Sequence, residues 1–183
     1  MKWSLVSLAG LAVFGVTTAA HADPMNFFPL PDARIAFGPS IPLGAKRADG
    51  LRAATDFTVG ASLFGSHGFN ADKLFLFLDP EGGYSYTGPS DHAFNVSMGI
   101  GFGTGWVAAA YHPHFIVGTS DDEFAIGMRN GLGIHALFDV FSLEVAHELL
   151  FVDSEQRQDL RVELGLNPGA AVALFIYLIS GMR

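Results

Sequence analysis

The chain has no cysteine, so no disulfide can staple it, and its stability must come from packing and hydrogen bonding. Charged residues make up only 15% of its 183 positions, with no run of basic side chains and a formal net charge of −8. An acidic chain of this kind is not expected to have nucleic acid as a partner. Hydrophobic residues reach 50%, yet after the first segment no stretch approaches ~18 consecutive apolar residues, which excludes a spanning helix. A phosphate loop, a nucleophile elbow and a dinucleotide fingerprint are also missing. Gly99-Ile100-Gly101-Phe102-Gly103 carries a strand-like alternation into a turn, not into a helix. High hydrophobicity with 22 glycines, 17 phenylalanines and no long apolar run fits membrane-embedded strands better than a soluble domain.

The first segment reads as a targeting signal. Lys2 precedes an apolar core from Leu5 to Val16, and Ala20-His21-Ala22 has the small-x-small form of a cleavage site. Residues 1–22 are therefore expected to be removed during export. Residues 23–32, with Pro24, Pro29 and Pro31, read as an extended lead-in, and residues 33–183 as one domain.

What is present in that domain is alternation. From Glu123 the odd positions run Glu123, Ala125, Gly127, Arg129, Gly131, Gly133, His135, and the even ones Phe124, Ile126, Met128, Asn130, Leu132, Ile134. A period of 2 gives a strand with two unlike faces. It outlasts the ~5–6 residues of an ordinary soluble strand and suits the ~9–11 of a membrane-spanning one. Similar segments recur over 34–44, 51–64, 73–86, 93–103, 106–117, 141–152 and from about Leu160. The third is expected to end early at Asp79-Pro80-Glu81-Gly82-Gly83. The eighth is expected to continue as a strand beyond Pro168 to Ile179, although a short buried helix also fits its two apolar faces.

Two short connections, Thr104-Gly105 and Asp139-Val140, allow a register test. They place Phe102 opposite Val107, Ser97 opposite His112, His135 opposite Glu144 and Gly131 opposite Glu148, so like faces meet. The Asp139-Val140 turn lacks the Gly or Asn that a two-residue hairpin favours and could be one or two residues longer. Polar connections over 45–50, 82–91, 118–122 and 153–159 are expected at the other end. The fold expected is all-β, an antiparallel up-and-down eight-stranded transmembrane β-barrel with an even strand number that closes without edges.

The glycines and alanines share the charged face, and an eight-stranded barrel has an interior only just wide enough for side chains. The charged face is therefore expected inside. Phe94, Phe102, Phe115, Phe124, Phe138, Phe141, Phe151, Tyr84 and Tyr86 are candidates for aromatic girdles outside.

This pattern resembles the small eight-stranded outer-membrane barrels, the class that includes the OmpA transmembrane domain and OmpX, over about residues 33–180. The resemblance implies an outer-membrane location, contact with lipid and lipopolysaccharide, and delivery by the barrel insertion machinery. It implies no cofactor and does not identify a partner for the external loops. Such barrels usually finish on an aromatic residue that this machinery reads; here the chain finishes Ile179-Ser180-Gly181-Met182-Arg183, leaving Tyr177 as the candidate.

Three sets of residues are candidates for chemistry. Arg52, Asp56, Arg129, His135, Glu144, Glu148, Arg161 and Glu163 lie on the charged faces and would form an interior network, read as a plug of paired charges or, alternatively, as an ion path. His112-Pro113-His114 sets two imidazoles on one face about 7 Å apart at a rise of ~3.3 Å per residue. With a carboxylate they could bind zinc, but no third ligand has a defined spacing, and no metal is expected. His147 lies on the apolar face, where a polar ring is unfavourable in lipid. It resembles the outward histidine of lipid A-trimming barrel enzymes, but no serine lies two residues away. The function expected is an integral outer-membrane barrel, structural, adhesive or weakly pore-forming, without catalysis. The alternatives are a lipid A-modifying hydrolase and a soluble periplasmic barrel binding an apolar ligand.

Overall fold

The computed structural model describes residues 26–43, 50–66, 72, 74–153 and 155–181. The segment read as a signal lies outside them, as do residues 44–49. Eight strands run in chain order: β1 (Asn26–Pro42), β2 (Arg52–Ser66), β3 (Phe75–Thr87), β4 (Asp91–Gly103), β5 (Val107–Ser120), β6 (Glu123–Ala136), β7 (Phe141–Val152) and β8 (Glu155–Leu166). Each pairs antiparallel with its neighbours, and β8 returns to β1 to close the barrel. One helix, α1 (Pro168–Gly181), follows.

The two faces separate as the alternation requires. Val59, Phe94, Phe102 and Leu132 are each 67–69% exposed on the outside, whereas Arg129 and Arg161 are 1% and 0% exposed inside. This is the inverse of a soluble barrel, and it removes the apolar-ligand reading: the interior is polar and filled. Glycine makes the filling possible. A Cβ at Gly101 would lie 2.3 Å from the ring of Phe77.

Several expectations are corrected. β1 begins at Asn26, so most of the presumed lead-in is paired, with Pro31 opposite Ala61 and Asp32 opposite Gly60. Its prolines are tolerated because the neighbouring strands carry the pairing; on the β8 side the ladder skips Gly38 and Pro39. Asp79-Pro80-Glu81-Gly82-Gly83 does not end β3. Pro80 interrupts the ladder to β2, but β4 holds the strand straight through it, with Asp79 opposite Gly99 and Glu81 opposite Ser97.

Both tight turns are longer than drawn. Phe102 faces Ala109, Ser97 faces His114, Gly133 faces Glu144 and Arg129 faces Glu148. Each register has slipped by two residues, which leaves every face unchanged and explains why matching faces could not detect it. Residues 137–140 form the second turn, with Leu137, Phe138 and Asp139 all at positive φ (53°, 54° and 69°). The turn carries Phe138 inward, so it is no girdle residue: it packs with Phe64, Phe75 and Phe77 in a cluster closing this end of the barrel. At the opposite end three connections are short, 88–90 after β3, Asp121-Asp122 after β5 and 153–154 after β7, while nine residues, 43–51, join β1 to β2.

Beyond β8 the chain is a helix, not a strand. Asn167 is its N-cap: its Oδ1 accepts from the Ala170 amide at 3.0 Å, and its carbonyl accepts from the Ala171 amide at 3.0 Å. Pro168 then sits at the first helical position, where its missing N–H costs nothing. Leu174 packs on the phenylalanine cluster, while Val172, Phe175, Ile176, Leu178 and Ile179 stay exposed. The side chain of Tyr177 lies outside the described residues.

Candidate functional site: the barrel interior

Inward positions of eight strands bring together charges that are far apart in sequence. Two ionic clusters result. In the first, the Arg34 Nη2 on β1 lies 3.2 Å from Asp32, 2.9 Å from Asp79, 2.9 Å from Glu81 and 2.8 Å from Asp139. Ser62 donates to Asp79 at 2.8 Å, and the Asn167 amide donates to Asp32 at 2.9 Å and Asp139 at 3.1 Å. His135, from β6, contacts Asp139 through its Nδ1. Burial alone would raise the pKa of Asp139, but Arg34 and His135 outweigh it and hold the carboxyl below its ordinary value.

In the second cluster, Arg129 and Arg161 share Glu148 and Asp56. Glu148 accepts from Arg129 Nε and from Arg161 Nη1 at 2.9 Å each. Asp56 accepts from Arg161 at 3.0 Å and also pairs with Arg129. Glu163 lies 2.5 Å from Arg161, and Ser85 accepts from Arg129 at 3.1 Å. Beyond it, Arg52 joins Asp159 at 2.6 Å and also Asp91.

Of the eight residues singled out in the sequence, five thus meet in the second cluster: Asp56, Arg129, Glu148, Arg161 and Glu163. Arg52 stands apart near the opposite end, and His135 joins the first cluster. Glu144 lies beside His112 and His114 instead of pairing with an arginine. Asp32, Asp79, Glu81, Asp139 and Asn167 were not anticipated. Asp32 falls in the presumed lead-in, Asp79 and Glu81 at the presumed early end of β3, Asp139 in a turn, and Asn167 at the end of the eighth segment on its charged face. The signal that could have found them is the inward series Phe75, Phe77, Asp79, Glu81, unbroken at period 2 through Pro80.

Apolar residues cap the ionic core on both sides. The phenylalanine cluster with Leu30 and Leu174 closes the α1 end, and Ile116, Ala125, Leu150 and Val152 pack together towards the other. One interior cavity of ≈ 20 Å³ lies between Arg34, Asp56, Glu81, His114, Glu144 and Glu163, room for about one water or ion.

His147 faces outward. Its Nε2 is 3.2 Å from the Gln158 Oε1 on β8, and it neighbours Asn130, whose Oδ1 accepts from the Tyr111 hydroxyl at 2.6 Å. Ser142, on the same strand, points into the barrel and is 9% exposed, so it cannot serve His147 as a nucleophile.

No protein-family model matches the chain, and no curated protein matches it. Among solved structures, the crystal structure of Ail, the attachment invasion locus protein of Yersinia pestis, is similar at 11% identity, covering 75% of this chain and 97% of that chain with a TM-score of 0.25. That likeness is too distant to bear on function.

Proposed function

We propose that this chain is an integral outer-membrane barrel with a structural role, closed to ions and without catalysis. The observation that carries this reading is the inversion of its faces: an apolar, aromatic-rich exterior wraps a barrel whose buried interior is ionic. In water that exterior would be an exposed hydrophobic surface far beyond what a monomer tolerates, whereas in a bilayer it is matched to lipid. Phe94, Phe102, Phe115, Phe124, Phe141 and Phe151 face outward and can meet the interfaces. The apolar helix α1, with its exposed Phe175 and Ile176, suits the interface on its own side.

Within the structural, adhesive and pore-forming readings, two features favour the first. Paired arginines and carboxylates between two apolar caps fit a plug better than a conduit. Two of the connections at the end opposite α1, 88–90 and Asp121-Asp122, are too short to carry a binding surface, which leaves 43–51 as the connection an adhesive role would have to use. An enzymatic role for His147 cannot draw on Ser142, the serine of its own strand, which faces inward. Planar-bilayer recording tests the plug: no stable channel is expected, and unitary conductance of fixed size would contradict it. His147→Ala should leave lipid A unaltered, and a change in its acylation would favour the hydrolase instead.

A further inference from the structure

We propose that His112 and His114 on β5 and Glu144 on β7 form a binding site for one divalent transition metal of the zinc class inside the barrel. The sequence places the two imidazoles on one face but offers no third ligand. Barrel closure supplies it. One donor atom from each of the three residues lies within 4.8 Å of the others. His112 Nδ1 is 3.5 Å from Glu144 Oε2, and His114 Nε2 is 4.0 Å from Glu144 Oε1. Zinc–ligand bonds of about 2.0–2.2 Å set neighbouring donors roughly 3.3 Å apart, so small side-chain shifts complete the set.

Four independent features point to an occupant. His114 is 5% exposed, yet neither ring nitrogen makes a hydrogen bond. Buried polar atoms are normally satisfied, so an imidazole with both nitrogens unpartnered calls for a ligand. His114 and Glu144 also line the ≈ 20 Å³ cavity, which has room for one small occupant such as the ion itself. Glycines make space for the donors: a Cβ at Gly131 would lie 2.0 Å from Glu144 Oε1, and one at Gly99 would lie 2.8 Å from His112 Nε2. Finally, nine carboxylates are buried among the described residues; Arg52 pairs with two of them, and the other seven face three buried arginines, an excess that a dication would reduce.

The nearby arginines are already paired with other carboxylates. Arg129 is committed to Asp56 and Glu148, and Arg34 to its own carboxylates. The same accounting disfavours the two other close groups, Asp32–Asp79–Asp139 and Asp79–Glu81–His112, because Arg34 already pairs with every carboxylate in them. Two imidazoles and one carboxylate are a donor set for zinc or a neighbouring transition ion, not for calcium or magnesium.

The test uses the tag-free full chain folded into detergent micelles with zinc chloride or cobalt chloride present, since the closed interior would load as it folds. After desalting against a weak chelator, mass spectrometry should find about one metal per chain, and the cobalt form should show the intense visible bands of four-coordination. His114→Ala and the volume-conserving Glu144→Gln should each lower metal affinity at least tenfold. His147→Ala, on the outer face, should bind as the parent does. Retention of less than a tenth of an equivalent by the parent chain would overturn the proposal. So would a six-coordinate cobalt spectrum, or full retention by a folded Glu144→Gln variant. If His114→Ala does not fold, the parent spectrum and Glu144→Gln decide the matter.

Discussion

Arg34 meets four carboxylates with a single guanidinium, whereas Arg129 and Arg161 share Asp56 and Glu148 between two. The Arg34 cluster is tied to a strained turn, a helix cap and the closing aromatic cluster. The Arg129–Arg161 cluster sits between regular strands. The first therefore has less redundancy: Arg34 is the arginine that all four carboxylates share, with His135 as a second contact for Asp139 alone. The second can lose either arginine and keep a partner for each shared carboxylate.

Replacing Arg34 is the sharpest way to break the comparison. Arg34→Met should leave buried carboxylates without a cation, costing about 3–5 kcal/mol or abolishing folding. Arg161→Met should cost less, because Arg129 still holds Asp56 and Glu148. Urea midpoints followed by the mobility shift between folded and boiled protein would rank the two, and equal losses would remove the distinction.

Asp139 sharpens the comparison by pH. Its folded pKa lies below the unfolded value of ~3.9, so its stabilisation is present above that value and lost as pH falls through the folded one. Asp139→Asn should cost about 1.5–3 kcal/mol at neutral pH and remove this part of the acid dependence. Unfolding midpoints across pH 2–7 would show it as convergence of the variant and parent curves at the acid end.

Asn167→Ala tests the link between cluster and helix. It removes the cap on α1 and the donors to Asp32 and Asp139, with an expected cost of about 1–2 kcal/mol. Circular dichroism should lose helical signal before strand signal. The smallest effect belongs to the opposite end. Asp121 and Asp122 form a two-residue turn with φ of 53° and 67°, where Asn-Gly is the favoured pair. The single change Asp122→Gly, which keeps the Asp121–Arg157 ion pair, should therefore stabilise by several tenths of a kcal/mol. It should leave the Arg34 cluster unaffected, as judged by an unchanged acid limb.

The same contrast divides what could be read from the sequence. Asp56, Arg129, Glu148, Arg161 and Glu163 lie in clean two-residue alternation, so their shared interior face was legible. Asp32, Asp79, Glu81 and Asp139 sit beside prolines or in a turn, where local chemistry argues against a strand and tertiary pairing overrides it. Face matching across a hairpin detects odd slips and is blind to even ones, which is why both turns were drawn two residues out of register. In the sequence the helix stands second to a strand, because apolar side chains cover both faces of 170–179 and β-branched content favours a strand; Asn167-Pro168, a cap followed by a first-turn proline, is the stronger signal. Glu144 approaches His112 and His114 only when β5, β6 and β7 are adjacent and Gly131 leaves the space. No spacing in one dimension encodes that.

The central claim is that the apolar exterior is built for lipid. The most direct measurement is membrane fractionation of the expressed full chain, followed by gel electrophoresis with and without boiling. The account predicts sedimentation with the outer membrane, resistance to alkaline extraction, and a compact band that shifts on boiling. Recovery of folded protein in the soluble fraction without detergent would contradict it.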